Sequence, residues 1–247
     1  MVGRMLDSLR MAVGTLTALP VPAPRVIDRR VAAGAMLLAP IAALPLAALA
    51  GLIMWSGKCV GLPGLASAGI AVGAVALGSR GLHLDGLADT ADGLGASYDR
   101  DRALEIMRRG DSGPTGVAAL VLVLIIQCGA LAGAGAVSVV VAVLAGRCVL
   151  PLCCARGVPS ARPEGLGAAV AGAVPVSAAV AVFVAAAGLS SLAPGYDWWR
   201  GPVAVAAAYV VAGLLLWRCI KRLGGITGDV LGACVEAATA AALVALA

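Results

Sequence analysis

Histidine and the aromatics are scarce in this 247-residue chain, with one histidine, one phenylalanine and only 3% aromatic residues in all. A lone histidine leaves a Cys/His zinc site little to draw on, and none of the seven cysteines forms a CxxC pair. Most of them fall in or beside apolar runs, where cysteine reads as a small buried hydrophobe. Charge is scarce too, at 13%. No basic stripe interleaved with aromatics occurs, so the net charge of +5 is no nucleic-acid footprint. An ordinary soluble domain of this length would carry more charge and less apolar surface.

What the chain does have is apolar length: 61% hydrophobic residues and a mean hydropathy of +1.00. Uncharged runs cover 31–57, 59–79, 112–146, 165–196 and 201–217, several longer than the ~20 residues that cross a bilayer as a helix. The 33 glycines suit helices that approach closely. The expected fold is all-α, a polytopic membrane bundle of about six to seven transmembrane helices. Spans are expected near 32–54, 62–79, two arms within 112–155, 166–188, 201–217 and 230–247. Glu236 interrupts the last, leaving it interfacial or facing the bundle. The run 11–24 is too short to span and reads as an interfacial or re-entrant segment. With the N-terminus inside, only Lys58 and Arg200 of eighteen basic residues fall outside, and Arg147 lies in a span. That asymmetry puts segment 80–112 at the cytoplasmic face.

Segment 80–112 holds seven of the thirteen acids, and its first part reads Gly81-Leu82-His83-Leu84-Asp85-Gly86-Leu87-Ala88-Asp89-Thr90-Ala91-Asp92-Gly93. The i, i+4, i+7 spacing of Asp85, Asp89 and Asp92 sets three carboxylates on one helix face. They repel unless a cation sits among them, and hard oxygen donors favour Mg²⁺, with Mn²⁺ as the other candidate. A wetted acidic face is the plain alternative, but this one follows directly on a long apolar run. His83 is a candidate base or phosphate contact.

Two further polar clusters are expected at the same face. Arg108 and Arg109 precede Gly110-Asp111-Ser112-Gly113-Pro114-Thr115-Gly116, which places basic groups for a phosphate beside another acid, Asp111. Lys221-Arg222-Leu223-Gly224-Gly225-Ile226-Thr227-Gly228-Asp229 adds Asp229, with Thr227 or Asp229 able to cap a helix. Arg147 either reaches toward the headgroups or pairs with the acids or a phosphate. Carboxylates holding a divalent metal, with arginines for the remaining charge, indicate phosphoryl chemistry. Asp99, Asp101 and Glu105 among Arg100, Arg102 and Arg108 read as an ordinary salt-bridged surface helix.

These three motifs, with Leu19-Pro20-Val21-Pro22 near the N-terminus, resemble the cobalamin synthase (adenosylcobinamide-GDP ribazoletransferase) family over nearly the whole chain. The resemblance implies a single transmembrane catalytic domain over 1–247 in a bacterial plasma or inner membrane. It implies a Mg²⁺-dependent enzyme that joins adenosylcobinamide-GDP to α-ribazole, or to its 5′-phosphate, and releases GMP. Carried onto this sequence, Asp85, Asp89 and Asp92 would hold metal, and Asp111 and Asp229 would add metal or substrate ligands. His83 would orient or deprotonate the attacking hydroxyl, and Arg108 and Arg109 would bind the diphosphate or GMP. The resemblance leaves room for a homo-oligomer and for association with other cobalamin pathway enzymes.

Two rival readings stand beside it. A CDP-alcohol phosphotransferase would use nearly the same chemistry, but its expected Asp-Gly-x-x-Ala-Arg pattern is broken here, where Ala88 precedes Asp89. A small cation-coupled transporter would place its acids along a central path. Here they cluster with arginines in a polar segment.

Overall fold

The computed structural model describes residues 2–96 and 98–247, and every regular element among them is an α-helix. Helix α1 (Val2–Leu16) is amphipathic: Met11, Ala12 and Leu16 are buried while Met5 and Leu6 are exposed. Asp7 is buried on its inner face, ion-paired to Arg10 and accepting the backbone N–H of Arg25 at 3.0 Å. One carboxylate thus pins the proline-rich stretch that follows.

The run expected to be one span at 32–54 is instead three helices, α2 (Arg29–Leu37), α3 (Ala39–Ala42) and α4 (Leu44–Cys59). Asp28 caps α2 by accepting from Val31 N at 2.8 Å. The breaks come at Leu38 and Ala43, because Pro40 and Pro45 lie in the first turns of the helices that follow. Proline lacks the N–H that an uninterrupted helix needs there and fits a first turn instead.

Helices α5 (Gly64–Gly78) and α6 (Leu82–Ala96) meet at 89°. The corner is made by Arg80 and Gly81, at φ 57° and 69°. A left-handed arginine is strained, and its guanidinium is held by the Gly14 carbonyl of α1. Helix α6 therefore turns away from the direction of α5 and packs against α14 and α8. Helix α7 (Arg100–Arg109) follows, ending at Gly110 in the left-handed region.

The predicted hairpin is present as α8 (Pro114–Ala132) and α9 (Ala136–Cys148), with α10 (Leu150–Cys153) continuing the second arm. The run expected as a span at 166–188 is split into α11 (Gly165–Val170) and α12 (Val176–Ser190). Between them lie Gly172, at φ 62°, and Pro175. Helices α13 (Arg200–Leu223) and α14 (Gly228–Leu246) complete the chain.

The structure is a polytopic membrane bundle. Four stretches are long and apolar enough to cross a bilayer, at 114–132, 136–153, 200–223 and 228–246, and the bent α5–α6 pair counts as a fifth only if its two arms are taken as one span. Helices α4 and α12 are apolar but shorter, at 16 and 15 residues. The count of four or five, against six to seven from the sequence, follows from the proline and glycine breaks. Helix α14 is the centre, packed on α6, α9 and α13 with most of its residues buried. Glu236 does not interrupt it. The side chain faces the bundle interior and accepts from Gln127 Nε2 of α8 at 2.8 Å.

Candidate active site

Helices α6 and α14 touch backbone to backbone because both present glycine. A methyl group at Gly86 would lie 2.6 Å from the Asp229 carbonyl oxygen, and one at Gly232 would lie 3.0 Å from His83 Cα. This contact brings the acidic face of α6 against the first turn of α14. Asp85, Asp229 and His83 line one cavity of about 310 Å³, walled also by Met36 of α2 and Leu166 of α11. Asp89, buried one turn beyond Asp85, feels the charges of Asp85 and Asp229.

Burial is the largest influence on Asp89, and the neighbouring carboxylates of Asp85, Asp229 and Asp92 push the same way. Together they raise its carboxyl to about 6, against which Arg162 pulls weakly. A cluster that resists full ionisation in this way is a place for a cation. Thr227 caps α14, accepting from Val230 N at 3.2 Å, and its hydroxyl donates to Asp229 Oδ2 at 3.1 Å. The cap thereby aims the carboxylate.

Arg162 is the functional group that sequence reasoning missed, having counted there only toward membrane orientation. It lines the cavity with its guanidinium 3.7 Å from Asp229 and donating to Leu104 O at 2.8 Å. Its placement depends on a non-local pairing. Ala161 N donates to Ile226 O and Ile226 N to Pro159 O, both at 2.9 Å, which ties the 159–162 segment to the loop before α14. The only local signal is the polar Pro159-Ser160-Ala161-Arg162-Pro163-Glu164-Gly165 stretch between apolar runs. Glu164, also in the cavity wall, pairs with Arg108 at 3.6 Å, so Arg108 stands at the rim.

Other expected residues are distributed differently. Asp92 faces α8, where its two carboxylate oxygens accept from Gly113 N at 2.7 Å and Gly116 N at 2.8 Å. It caps a helix that has no cap of its own, with negative charge at the positive end of the helix dipole. Arg109 is exposed and bonded to Glu105 at 2.8 Å. Asp111 is exposed in the loop before α8, outside the residues that line the cavity.

Arg147 is 1% exposed and makes no ion pair among the described residues, although Glu236 shares its small cavity. Its Nη2 lies 3.3 Å from His83 Nδ1. Guanidinium nitrogens only donate, so Nδ1 is the acceptor and the imidazole proton sits on Nε2. Burial first, and the Arg147 charge second, hold His83 well below its usual range, so it is neutral. Its Nε2 is buried without a hydrogen-bond partner among the described residues. The site therefore offers an unused N–H donor beside its carboxylates.

Among the described residues, no three His, Cys, Asp or Glu side chains converge tightly enough to enclose an ion by themselves. Asp85 and Asp229 in the cavity wall are oxygen donors of the kind a hard divalent cation takes. Residues 8–247 match the cobalamin-5-phosphate synthase family. This chain belongs to that family. Relatives named adenosylcobinamide-GDP ribazoletransferase align over almost the full length. The protein from a Nocardioides species is 47% identical, covering 98% of both chains. That of Frankia casuarinae is 42% identical over 98% of this chain and 95% of its own, and that of Pseudomonas paraeruginosa 39% over 98% of both. No solved structure matches. The family assignment agrees with the resemblance read from the three motifs.

Proposed function

We propose that this chain joins adenosylcobinamide-GDP to α-ribazole, or to α-ribazole 5′-phosphate, with release of GMP. The observation that carries the proposal is the meeting of Asp85, Asp229 and Arg162 at one cavity, with Asp89 buried one turn behind Asp85 and within the field of all three. It occurs in a chain aligned over 98% of its length with relatives bearing that name. In the reaction, the 5′-hydroxyl oxygen of the ribazole attacks the phosphorus that carries cobinamide. A new P–O bond forms, the anhydride P–O bond to GMP breaks, and the hydroxyl proton passes to the departing GMP phosphate or to water.

Asp85, Asp89 and Asp229 are the donors suited to Mg²⁺ or Mn²⁺, which when bound would neutralise diphosphate charge and lower the pKa of a coordinated hydroxyl. Arg162, tethered by Leu104 O and Asp229, binds a phosphoryl oxygen, and Arg108 at the rim receives the outer phosphate. His83, its tautomer set by Arg147, donates from Nε2 to the phosphoryl group in place of taking a proton. Asp92 holds the start of α8 against α6 and keeps the acidic face in register. The basic loops support a cytoplasmic orientation of this site in a bacterial membrane.

The test is GMP release and cobalamin formation by the detergent-solubilised protein given adenosylcobinamide-GDP, α-ribazole and Mg²⁺. Asp89→Asn should abolish turnover while leaving the protein folded. A folded wild-type protein that releases no GMP with or without Mg²⁺ would end the assignment, and CDP-alcohols would be tried next.

A further inference from the structure

We propose that a second site, separate from the acidic cavity, binds one anionic phospholipid, with its phosphate at Arg30 and Arg156 and an acyl chain along α12. A broad basin opens between the first turn of α2 and the loop before α12. Three arginines, Arg29, Arg30 and Arg156, stand in its wall, with no acidic side chain among the described lining residues. Arg29 is already committed, donating to the carbonyls of Ala171 and Gly172 at 3.1 and 3.0 Å. Arg156 is exposed and its guanidinium has no hydrogen bond or ion pair among the described residues. Arg30 feels Asp28 but makes no ion pair with it, since that carboxylate caps α2 and pairs with Arg4. Two cations on one wall, neither ion-paired among the described residues, suit a phosphate.

The basin continues into an apolar groove. Leu37, the last residue of α2, lines both. The same two walls run on from it: Pro40, Ile41 and Leu44 on one side, and α12 on the other, which starts directly after Pro175 in the basin and lines the groove from Val182 to Leu189. The single hydroxyl of the groove, Ser190, is satisfied by Ala187 O at 2.8 Å. Ile41, Leu44 and Leu189 are exposed there, so the groove is open to the surroundings of the spanning helices. The fifteen residues of α12 rise about 22 Å. That exceeds the roughly 15 Å depth of one leaflet's hydrocarbon. An amphiphile with a negative head and a long chain matches both parts at once, whereas a free anion or nucleotide matches only the basin.

Native mass spectrometry of the full chain in detergent, titrated with phosphatidylglycerol or phosphatidylcholine, tests this. One phosphatidylglycerol per chain should bind about tenfold more tightly than phosphatidylcholine. The double variant Arg30→Ala/Arg156→Ala should bring the two lipids within about twofold, and Arg156→Lys should keep most of the preference. Ala186→Phe, which fills the groove, should weaken phosphatidylglycerol about tenfold with the arginines intact. Equal binding of the two lipids by wild type, or a preference that survives the double alanine variant, would overturn the proposal. So would displacement of the lipid by glycerol 3-phosphate or GMP at matching concentration, which would make the basin a soluble-anion site.

Discussion

At Asp89, burial and three neighbouring carboxylates act in one direction, and the consequence is a pH dependence with a definite sign. Its carboxyl is raised from 3.8 to about 6, so folding favours the protonated form. The stability this contributes is complete below about pH 4 and is lost as pH rises through about 6. Without divalent metal, the melting temperature should fall between pH 4.5 and 7.5, and Mg²⁺ should raise it more at pH 7.5 than at 4.5. Asp89→Asn should flatten both effects. A melting temperature indifferent to pH and Mg²⁺ in wild type would remove Asp89 from the cation site. His83 makes a second prediction. If its Nε2–H is a donor, His83→Gln, which keeps an N–H, should retain at least tenfold more kcat/KM than His83→Ala. A base would lose activity equally in both variants. The acids of α6 and Asp229 were legible in the sequence because they stand in local motifs. The Arg147–His83 and Arg162–Asp229 contacts were not, because each joins residues more than sixty apart in the chain.

Helix contacts are decided here by glycines, and the same substitution should have opposite signs in different helices. Alanine normally stabilises a helix interior over glycine by about 0.5–1 kcal/mol. At Gly73 of α5 an added methyl meets nothing within 4 Å, so Gly73→Ala should be neutral or slightly stabilising. At Gly86 it would press on the α14 backbone at 2.6 Å, and such overpacking costs about 1–3 kcal/mol. Gly86→Ala should therefore lower the melting temperature and reduce turnover, by moving Asp85 and Asp89 away from Asp229. Equal stability of the two variants would show that α6 and α14 do not need this approach. Asp92 belongs to the same scale. Asp92→Ala should destabilise the metal-free protein by about 1–2 kcal/mol through loss of the α8 cap. Asp85→Ala, at an exposed position, should not. The i, i+7 spacing placed Asp92 on the acidic face, but it carries no information about the backbone N–H groups of Gly113 and Gly116 that claim it.

Across the whole molecule, apolar runs located the helices well, and the prolines within them governed where spans broke. The run 112–155 became a hairpin as expected, turning at its glycine-rich stretch, with Pro151 dividing only the end of the second arm into α9 and α10. In 32–54 and 166–188 hydropathy alone overestimated helix length, because it is blind to a missing N–H at Pro40, Pro45 and Pro175. Orientation is the property of the whole chain most open to direct test, and a native reporter exists. Of the seven cysteines, only Cys59 is exposed; it ends α4 beside Lys58, in the loop expected outside, opposite the acidic cavity. Cys128 is half-buried and lies within spanning α8, and the other five are buried. A membrane-impermeant maleimide added to intact cells from which any outer envelope has been removed should label the wild-type protein once. Cys59→Ser should not be labelled. Labelling that requires inside-out vesicles would place Cys59 in the cytoplasm, invert the chain, and put the Asp85–Asp229 cavity on the face away from cytoplasmic nucleotides. The basic residues argue against that result, since inversion would move nearly all the arginines of the short loops to the outer face.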